Sequence, residues 1–309
     1  MKIYIDAGEI VEVTDLVTQM TWSGNMTQAA RRLEFSYVQS ATDANIRKVR
    51  LDCGYTISLK DGGNEIFRGN VYAFESDREK SLVKVTAFDN IYVANRSKLS
   101  RKIEETTAES VTRSVCKEAG IKIGNLAYTG VAVNFIAHGK TARQIIETAY
   151  EEAGKQTGKK YFIVMKSDYL NVIEKGVASG VTLDSSVNMT GSIYKKSIEN
   201  LVNRADIADG EGNNTQTGAY DEDSVSKYSM IIDTLKTQKD KDMAAEAKAA
   251  LSKPEREGTV TALGNVKAIT GYSVTVKDAN LNGRFIIKSD THNFSGGSHI
   301  MKLTLEFAD

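Results

Sequence analysis

Apolar residues recur at helical spacing in two segments of the chain that resemble each other. Thr107–Gly120 and Thr141–Gly154 carry Thr, Ala, Glu, Ala and Gly at matching positions. Each segment has one apolar stripe at the spacing of an amphipathic helix. The stripes comprise Ala108, Val111, Val115, Cys116 and Ala119 in the first segment, and Ala142, Ile145, Ile146, Ala149, Tyr150 and Ala153 in the second. We therefore predict two helices, separated by a strand-like stretch over 121–138.

Polar residues and glycines predict where these helices begin and end. The predicted capping pairs are Thr106 with Glu109 and Thr141 with Gln144. Gly120 and Gly154 suit the left-handed residue that follows a helix. The offset of 34 residues between the segments matches a tetratricopeptide array. Only two copies are present and no helix is predicted between them, so we exclude a repeat array.

Alternating apolar and polar residues predict strands on both sides of the helices. The predicted strands before the helices are 17–22, 32–38, 55–60, 65–74 and 82–88, with a tight turn at 61–64. Those after them are 160–166, 169–174, 259–262, 272–277, 284–288 and a last hairpin turning at Gly296-Gly297, and 192–208 is predicted to be either a strand pair or one long strand. The polar segment 209–229 is predicted to be a mobile loop, and 240–252 a helix stopped by Pro254.

This pattern predicts an α+β fold that is mainly β. We expect a first β-barrel domain at 1–97 and an α/β domain of two helices and a hairpin at 98–180. A second β-barrel domain follows at 181–309, interrupted by a polar loop and helix at 209–254. The chain of 309 residues is long enough for several cores.

Composition narrows the possible partners and compartment. The charges of forty basic and forty acidic residues cancel. The chain therefore lacks the excess of basic residues that would indicate binding to nucleic acid, and we expect no sequence-specific nucleic-acid partner. Cys53 and Cys116 are expected to be buried free thiols. No stretch approaches the roughly 20 apolar residues of a membrane span, and the N-terminus lacks a signal-peptide core. We expect synthesis in a reducing cytoplasm and no membrane partner.

Two histidines and a carboxylate share one face of the predicted last hairpin. A turn at Gly296-Gly297 pairs Phe294 with His299 and His292 with Met301, and it places Asp290 on the same face. Two imidazoles and a carboxylate form a known metal ligand set. The same face continues into the apolar residues of the last strand, which favours histidines at the rim of a core, each with one hydrogen bond.

Other motifs are weaker still. His138–Thr141 resembles the end of a phosphate loop, but Asn134 stands where that motif needs glycine. Asp206, Asp209, Glu211 and Asn213 lie in a polar loop but miss the EF-hand spacing. No nucleophile motif or close carboxylate pair in apolar surroundings is found. We expect no catalytic site and no cofactor, and a role in assembly or binding.

Three segments in order resemble the late control protein D-like hub proteins of contractile phage tail baseplates. The first comprises Ile66–Val71, with an F-x-G-x-V pattern, Val85–Asp89 and Tyr92. The second comprises the helix ends Glu118–Ile121 and Ala153-Gly154 with the hairpin Tyr161–Val164 and Leu170–Ile173. The third comprises Gly271–Val274, Gly283–Ile287, Thr291-His292 and His299–Leu303. The resemblance extends over most of the chain.

The resemblance implies two tube-like barrels joined by an α/β domain in a homotrimer. Three copies of two barrels would connect the hexameric tail tube to the trimeric central spike. The implied partners are the tube protein, the spike protein, baseplate wedge or LysM-type tail proteins and the tape measure protein. We expect incorporation into a phage or bacteriocin particle. No appended wall hydrolase is expected after Asp309.

A peptidoglycan-binding or wall-degrading tail protein is the alternative. Such a protein needs an aromatic platform or paired catalytic carboxylates, and the sequence has a single Trp. The size in solution separates the two hypotheses, because a hub forms trimers.

Overall fold

The computed structural model describes residues 1–40, 42–209, 211–212, 215–238 and 241–307, and these residues are mainly β, as predicted. They form two compact units. The larger unit comprises Met1–Ser192 and Thr259–Asp309, and the smaller comprises Ile193–Gly258. The three-block division at 97 and 180 remains a prediction.

Strands and helices alternate along the chain as follows. The first elements are β1 Lys2–Asp6, β2 Ile10–Glu12, β3 Val17–Asn25, β4 Arg32–Val38, β5 Thr56–Asp61, β6 Asn64–Asp77, β7 Leu82–Phe88 and α1 Ile91–Arg96. The middle elements are β8 Lys98–Thr107, α2 Ala108–Glu118, β9 Ile123–Leu126, β10 Ala132–Thr141, α3 Ala142–Thr157, β11 Tyr161–Lys166 and β12 Tyr169–Glu174. The last elements are β13 Ala178–Asp184, β14 Met189–Ser197, β15 Arg204–Ala208, β16 Thr215–Tyr220, α4 Glu222–Tyr228, β17 Ile232–Lys236, α5 Met243–Ala250, β18 Glu255–Leu263, β19 Ser273–Lys277, β20 Asn282–Ser295 and β21 Ser298–Glu306.

Most strands belong to one 13-stranded sheet. Its main order is β14-β18-β21-β20-β3-β4-β7-β6-β5-β1-β2, and β19 pairs with both β20 and β13. The first and last thirds of the chain therefore share a sheet, joined where β20 pairs with β3. No closed barrel is detected among the described residues, so the two-barrel arrangement remains a prediction.

The long strand β20 contributes to two separate hydrophobic cores. Its first half places Phe285 and Ile287 in a core built from β13, β18, β19 and β21, which we call the last core. Its second half places Phe294 in the first core, built mainly from β1 and β3–β7. A register irregularity at 287–289 lies between these halves. Such a bulge re-aims the side chains that follow it.

The third core of the larger unit is helical. Both predicted stripes are buried except for Ala119, which is half-buried: α2 packs beside α3, and β9–β12 complete the layer. Thr141 forms the predicted capping box with Gln144. The predicted pair Thr106 with Glu109 is wrong, because Thr107 caps α2 by accepting from the Ser110 amide. The Glu109 carboxylate instead accepts hydrogen bonds from the amide and hydroxyl of Thr129.

The glycines that follow the two predicted helices differ in role. Gly120 is left-handed, as predicted (φ +68°). Gly154 is not a terminator, because α3 continues to Thr157 and ends at the left-handed Gly158 (φ +71°). A Cβ on Gly154 would lie 2.5 Å from the Lys159 carbonyl oxygen, so close backbone approach is the reason for this glycine.

The smaller unit contains a three-stranded sheet of order β16-β15-β17, with α5 packed against it. Gly218 leaves room for the Cβ of Ala247, which is fully buried. The loop interpretation of 209–229 is therefore wrong over β16, which pairs with β15, and over α4, a helix capped by the Asp221 side chain. Residues 210, 213 and 214 of this segment lie outside the described residues. The predicted helix over 240–252 is present as α5, and residue 240 lies outside the described residues.

Candidate functional site

The most unusual chemistry of the larger unit is a buried ion pair where β3 meets β20. The Nη1 and Nη2 atoms of Arg31 donate to the Oδ1 and Oδ2 atoms of Asp290 at 2.9 and 2.5 Å. The amide and hydroxyl of Thr270 also donate to Oδ1, at 2.7 and 2.6 Å. Both charged side chains are almost inaccessible to solvent. Two parallel bonds fix the relative position of the elements that carry the two residues.

Neighbouring residues shape the space that Arg31 occupies. A Cβ on Gly24 would lie 2.5 Å from Arg31 Nη1, so only glycine leaves room for the guanidinium. The guanidinium carbon lies 3.8 Å from the Trp22 ring centroid, in a cation–π arrangement. Among the described residues, Trp22 Nε1 and Arg31 Nε have no hydrogen-bond partner. The Arg31 side chain is therefore held by its stacking on Trp22 and by the two hydrogen bonds to Asp290.

Two buried carboxyl groups beside Arg31 have opposite pKa shifts. Burial alone would raise the pKa of Asp290, but the Arg31 charge and its hydrogen bonds hold that pKa well below its ordinary value. Asp89 accepts hydrogen bonds from the Arg31 and Ile91 amides. Burial nevertheless raises the pKa of Asp89 to about 7, because these bonds and the Arg31 charge offset only part of the desolvation.

The predicted register of the last hairpin is confirmed. His292 pairs with Met301 and Phe294 with His299, and Gly296 and Gly297 form the left-handed turn. His292 Nδ1 lies 3.0 Å from His299 Nε2, and His292 Nε2 lies 3.2 Å from the Ala268 carbonyl oxygen. Burial and the neighbouring His292 lower the pKa of His299 to about 4, against the attraction of Asp61.

The three residues weighed as metal ligands are thus close together but occupied with other partners. The Asp290 carboxylate accepts hydrogen bonds from Arg31 and Thr270. Its Oδ2 atom lies 3.4 Å from His292 Nε2. The two rings face each other. No group of three or more His, Cys, Asp or Glu residues suited to a metal ion is found among the described residues. The geometry is that of a hydrogen-bonded core cluster.

A groove of about 650 Å³ opens beside the end of the last hairpin. Apolar side chains line part of it, including Met20, Phe294 and Val266, and His299 reaches its wall. Charged groups of Asp61 and Lys267 lie at the same groove. The groove therefore connects His299 with solvent, whereas His292 is fully buried behind it.

A cluster of aromatic rings forms a second feature of the surface. Phe88 stacks on Tyr92 with centroids 4.4 Å apart, and Tyr72 meets Tyr92 edge-on at 4.5 Å. Arg32 and Arg96 lie over the Phe88 and Tyr92 rings at 5.9 and 5.8 Å. Aromatic and arginine side chains together are typical of protein interfaces.

The remaining sequence motifs have structural settings of their own. His138–Thr141 lies in β10, paired with β8, rather than in a glycine-rich loop. Asp206 forms a two-point ion pair with Arg204 on the same strand. Asn213 of the weighed calcium set lies outside the described residues. Both cysteines are free, as expected, and Cys116 is buried, but the expected burial of Cys53 is wrong, because that residue is exposed.

Sequence reasoning missed Arg31, Gly24, Asp89 and Trp22 as members of this cluster. The cluster depends on pairing between β3 and β20, which are more than 250 residues apart in the chain. The only local signal was Asp290 itself, a charged residue on the apolar face of a strand. A buried carboxylate at that position requires a cation from elsewhere.

The fold is that of phage tail proteins. The 43 kDa tail protein of prophage MuSo2 from Shewanella oneidensis has a similar structure, with a TM-score of 0.72 and 13% identity over 99% of this chain and 98% of that chain. A component of the Escherichia coli type VI secretion system, c3393, gives a TM-score of 0.59 and 10% identity over 100% and 77% of the two chains. That protein is described as similar to the T4 bacteriophage tail proteins gp27 and gp5.

Sequence comparison defines the family. The YQBQ-like family model matches residues 20–306, so the chain belongs to the YQBQ-like family. The phage-like element PBSX protein XkdQ of Bacillus subtilis (strain 168) is 24% identical over 306 residues, covering 94% of this chain and 93% of the relative. These findings confirm the resemblance to phage tail baseplate proteins. No helix of the described residues is both long and apolar enough to cross a membrane.

Proposed function

We propose that this protein is a structural hub of a contractile phage tail or tail-like bacteriocin baseplate. The observation that carries the proposal is the match of fold over 99% of this chain to a tail protein of nearly equal extent. A fold likeness of this kind covers the whole chain rather than one module. It is supported by family membership, which matches residues 20–306.

The hub acts as a homotrimeric adaptor between the tail tube and the central spike. Each chain has two sheet-built cores, the first core and the last core, joined through β20. Three chains therefore offer six sheet-built surfaces to a sixfold tube and one threefold axis to a spike. We assign the first core and the last core to the two tube-like barrels that the family resemblance implies.

The partners of the hub are the tube, spike, wedge or LysM-type proteins, and the tape measure protein. The surface cluster of Tyr72, Phe88 and Tyr92, with its two arginines, supports binding to other proteins. The chain is made in the host cytoplasm and incorporated into the particle. Its role is structural and it catalyses no reaction.

The mass of the purified protein in solution tests the adaptor role first. Light scattering coupled to size-exclusion chromatography should give about three times the chain mass of 33.8 kDa for the protein alone, and that mass plus the mass of the bound spike when the spike protein is added. A monomer that releases fragments from purified cell wall would support the alternative, a wall-degrading tail protein. A monomer without that activity, and without spike binding, would refute the hub proposal.

A further inference from the structure

The side chain of His299 fits a slot at the end of the last hairpin. Its ring stacks on Phe294, with centroids 4.1 Å apart and an interplanar angle of 27°. A Cβ on Gly264 would lie 2.0 Å from the ring, so only glycine admits it. The Gly264 amide donates to the His299 carbonyl oxygen at 2.8 Å. The slot thus places the ring against Phe294 and against a bare stretch of backbone at Gly264.

The contact between the two histidine rings accommodates one proton. Nδ1 of His292 and Nε2 of His299 are 3.0 Å apart, and a hydrogen bond there needs one donor and one acceptor. The Ala268 carbonyl oxygen only accepts, so His292 Nε2 carries a proton. In the neutral pair, His292 Nδ1 is therefore the acceptor and His299 Nε2 the donor.

A first added proton is compatible with this geometry. If this proton is placed on His292 Nδ1, the positive ring lies near the Asp290 carboxylate, whose Oδ2 is 3.4 Å from His292 Nε2. The Nδ1–H group of His292 then donates to Nε2 of His299. A second proton, on His299, would set two N–H groups and two like charges against each other at 3.0 Å. Because His292 is fully buried, water cannot screen that repulsion, and the contact has to open.

We propose that the His292–His299 contact is an acid-operated latch, which holds β20 and β21 together near the turn of the last hairpin and opens when both rings are protonated. Opening moves the His299 ring out of its slot and into the groove. Phe294 and Met20 at the groove wall are then exposed to solvent or to a partner. The latch does not depend on the proposed hub function.

The charges around the pair set the pH at which the latch opens. Asp290 and Arg31 lie behind His292, with Asp89 beyond Arg31. Asp61, Lys267 and the Met1 α-amino group face His299 from the groove. Burial has the largest effect on His299, and together with these charges it lowers the pKa of His299 to about 4. We therefore expect the latch to be closed at neutral pH and to open near pH 4.

The three histidines of the chain make the test direct. Nitrogen-15 NMR of the imidazoles reads the tautomer and charge of each ring, and amide hydrogen exchange reads the opening of residues 292–301. At pH 7 we expect the proton of His292 on Nε2. Near pH 4 we expect His299 to gain its proton. Over the same range the protection of the hairpin amides, corrected for intrinsic exchange, should fall at least about tenfold, which corresponds to about 1.4 kcal/mol.

Variants separate the latch from general acid denaturation. His299→Phe keeps a ring in the slot but cannot be charged, and it should abolish the fall in hairpin protection near pH 4. His299→Asn provides a second uncharged variant if the phenylalanine disturbs folding. His138→Asn, at the exposed histidine on β10, is the matched control and should leave the fall unchanged.

Several outcomes would overturn the latch. Equal loss of protection in the wild type and in both His299 variants would assign the effect to another group. Protonation of both rings with the hairpin still protected would show that the contact tolerates two protons. A shift of either ring resonance by added zinc, reversed by a chelator, would make the pair a metal site instead.

Discussion

Arg31 and Asp290 are 259 positions apart in the sequence, and they form a buried two-point ion pair at the strand pair that joins the first and last cores. The pair lies beside Gly24, which is opposite Asp290 in the β3–β20 register. A change to either partner therefore reports on the junction of the two cores.

Removing one charge of this pair should be strongly destabilising. Asp290→Ala leaves the Arg31 charge buried without its partner, which costs about 3–5 kcal/mol. Urea unfolding of the purified protein measures the loss. The double variant Arg31→Met/Asp290→Leu should recover much of it, because no uncompensated charge remains. If the unfolding free energy of Asp290→Ala lies within about 1 kcal/mol of the wild-type value, the ion pair does not stabilise the junction as described, because the expected loss is at least about three times larger.

A methyl group at Gly24 should displace the Arg31 guanidinium. Gly24→Ala places a Cβ 2.5 Å from Arg31 Nη1, so the ion pair has to shift, and we expect a loss of about 1–3 kcal/mol from overpacking. Gly191→Ala is the matched control, because no atom lies within 4 Å of its added Cβ. Thermal unfolding of both variants gives the comparison. Equal effects at the two sites would show that the Gly24 space is not needed.

The first block of the chain should not fold alone. A fragment of residues 1–97 lacks β20, so the edge of β3 and the Arg31 charge have no partner. We expect circular dichroism and urea titration of this fragment to show no cooperative transition. A chain in which a Gly-Ser link replaces residues 198–254 is the control and should retain the transition of the larger unit. A stable 1–97 fragment would restore the independent domain that the sequence predicts.

Asp89 should make the protein less stable as pH rises towards neutrality. Its folded pKa of about 7 lies above its ordinary value of 3.8, so the protonated form favours folding, and that stabilisation is lost between about pH 4 and 7. At 1.36 kcal/mol per unit the loss is at most about 4 kcal/mol. Asp89→Asn should remove this slope from unfolding free energies measured across the range.

His299 should contribute a slope of opposite sign over the same pH range. Its folded pKa of about 4 lies below its ordinary value of 6.5, so stability falls as pH drops from 6.5 towards 4. In the wild type the two slopes partly cancel. The stability of Asp89→Asn should therefore rise with pH over this range, and the stability of His299→Phe should fall with pH. Unchanged profiles in both variants would contradict both assignments.

Local patterns in the sequence predicted local structure well. Strands β4 and β7 occupy the predicted residues 32–38 and 82–88, and the register of the last hairpin followed from its Gly296-Gly297 turn. Turn chemistry and period-two alternation determine these features without reference to the rest of the chain.

Features that depend on distant residues were not predictable in this way. The pairing of β3 with β20, and with it the Arg31–Asp290 contact, has no signal within either segment. Gly154 was read as a helix terminator, although its role comes from the close approach of the Lys159 backbone. The sequence pattern places the candidate histidines on the correct face, but it does not show that His292 and His299 form a hydrogen bond with each other.

An image reconstruction of the particle with this subunit labelled tests the central claim most directly. The hub account predicts three copies in a ring where the tail tube meets the central spike, with two sheet-built cores of each copy facing the tube. Six copies repeated along the tube, or absence of the label from the tube–spike junction, would contradict it.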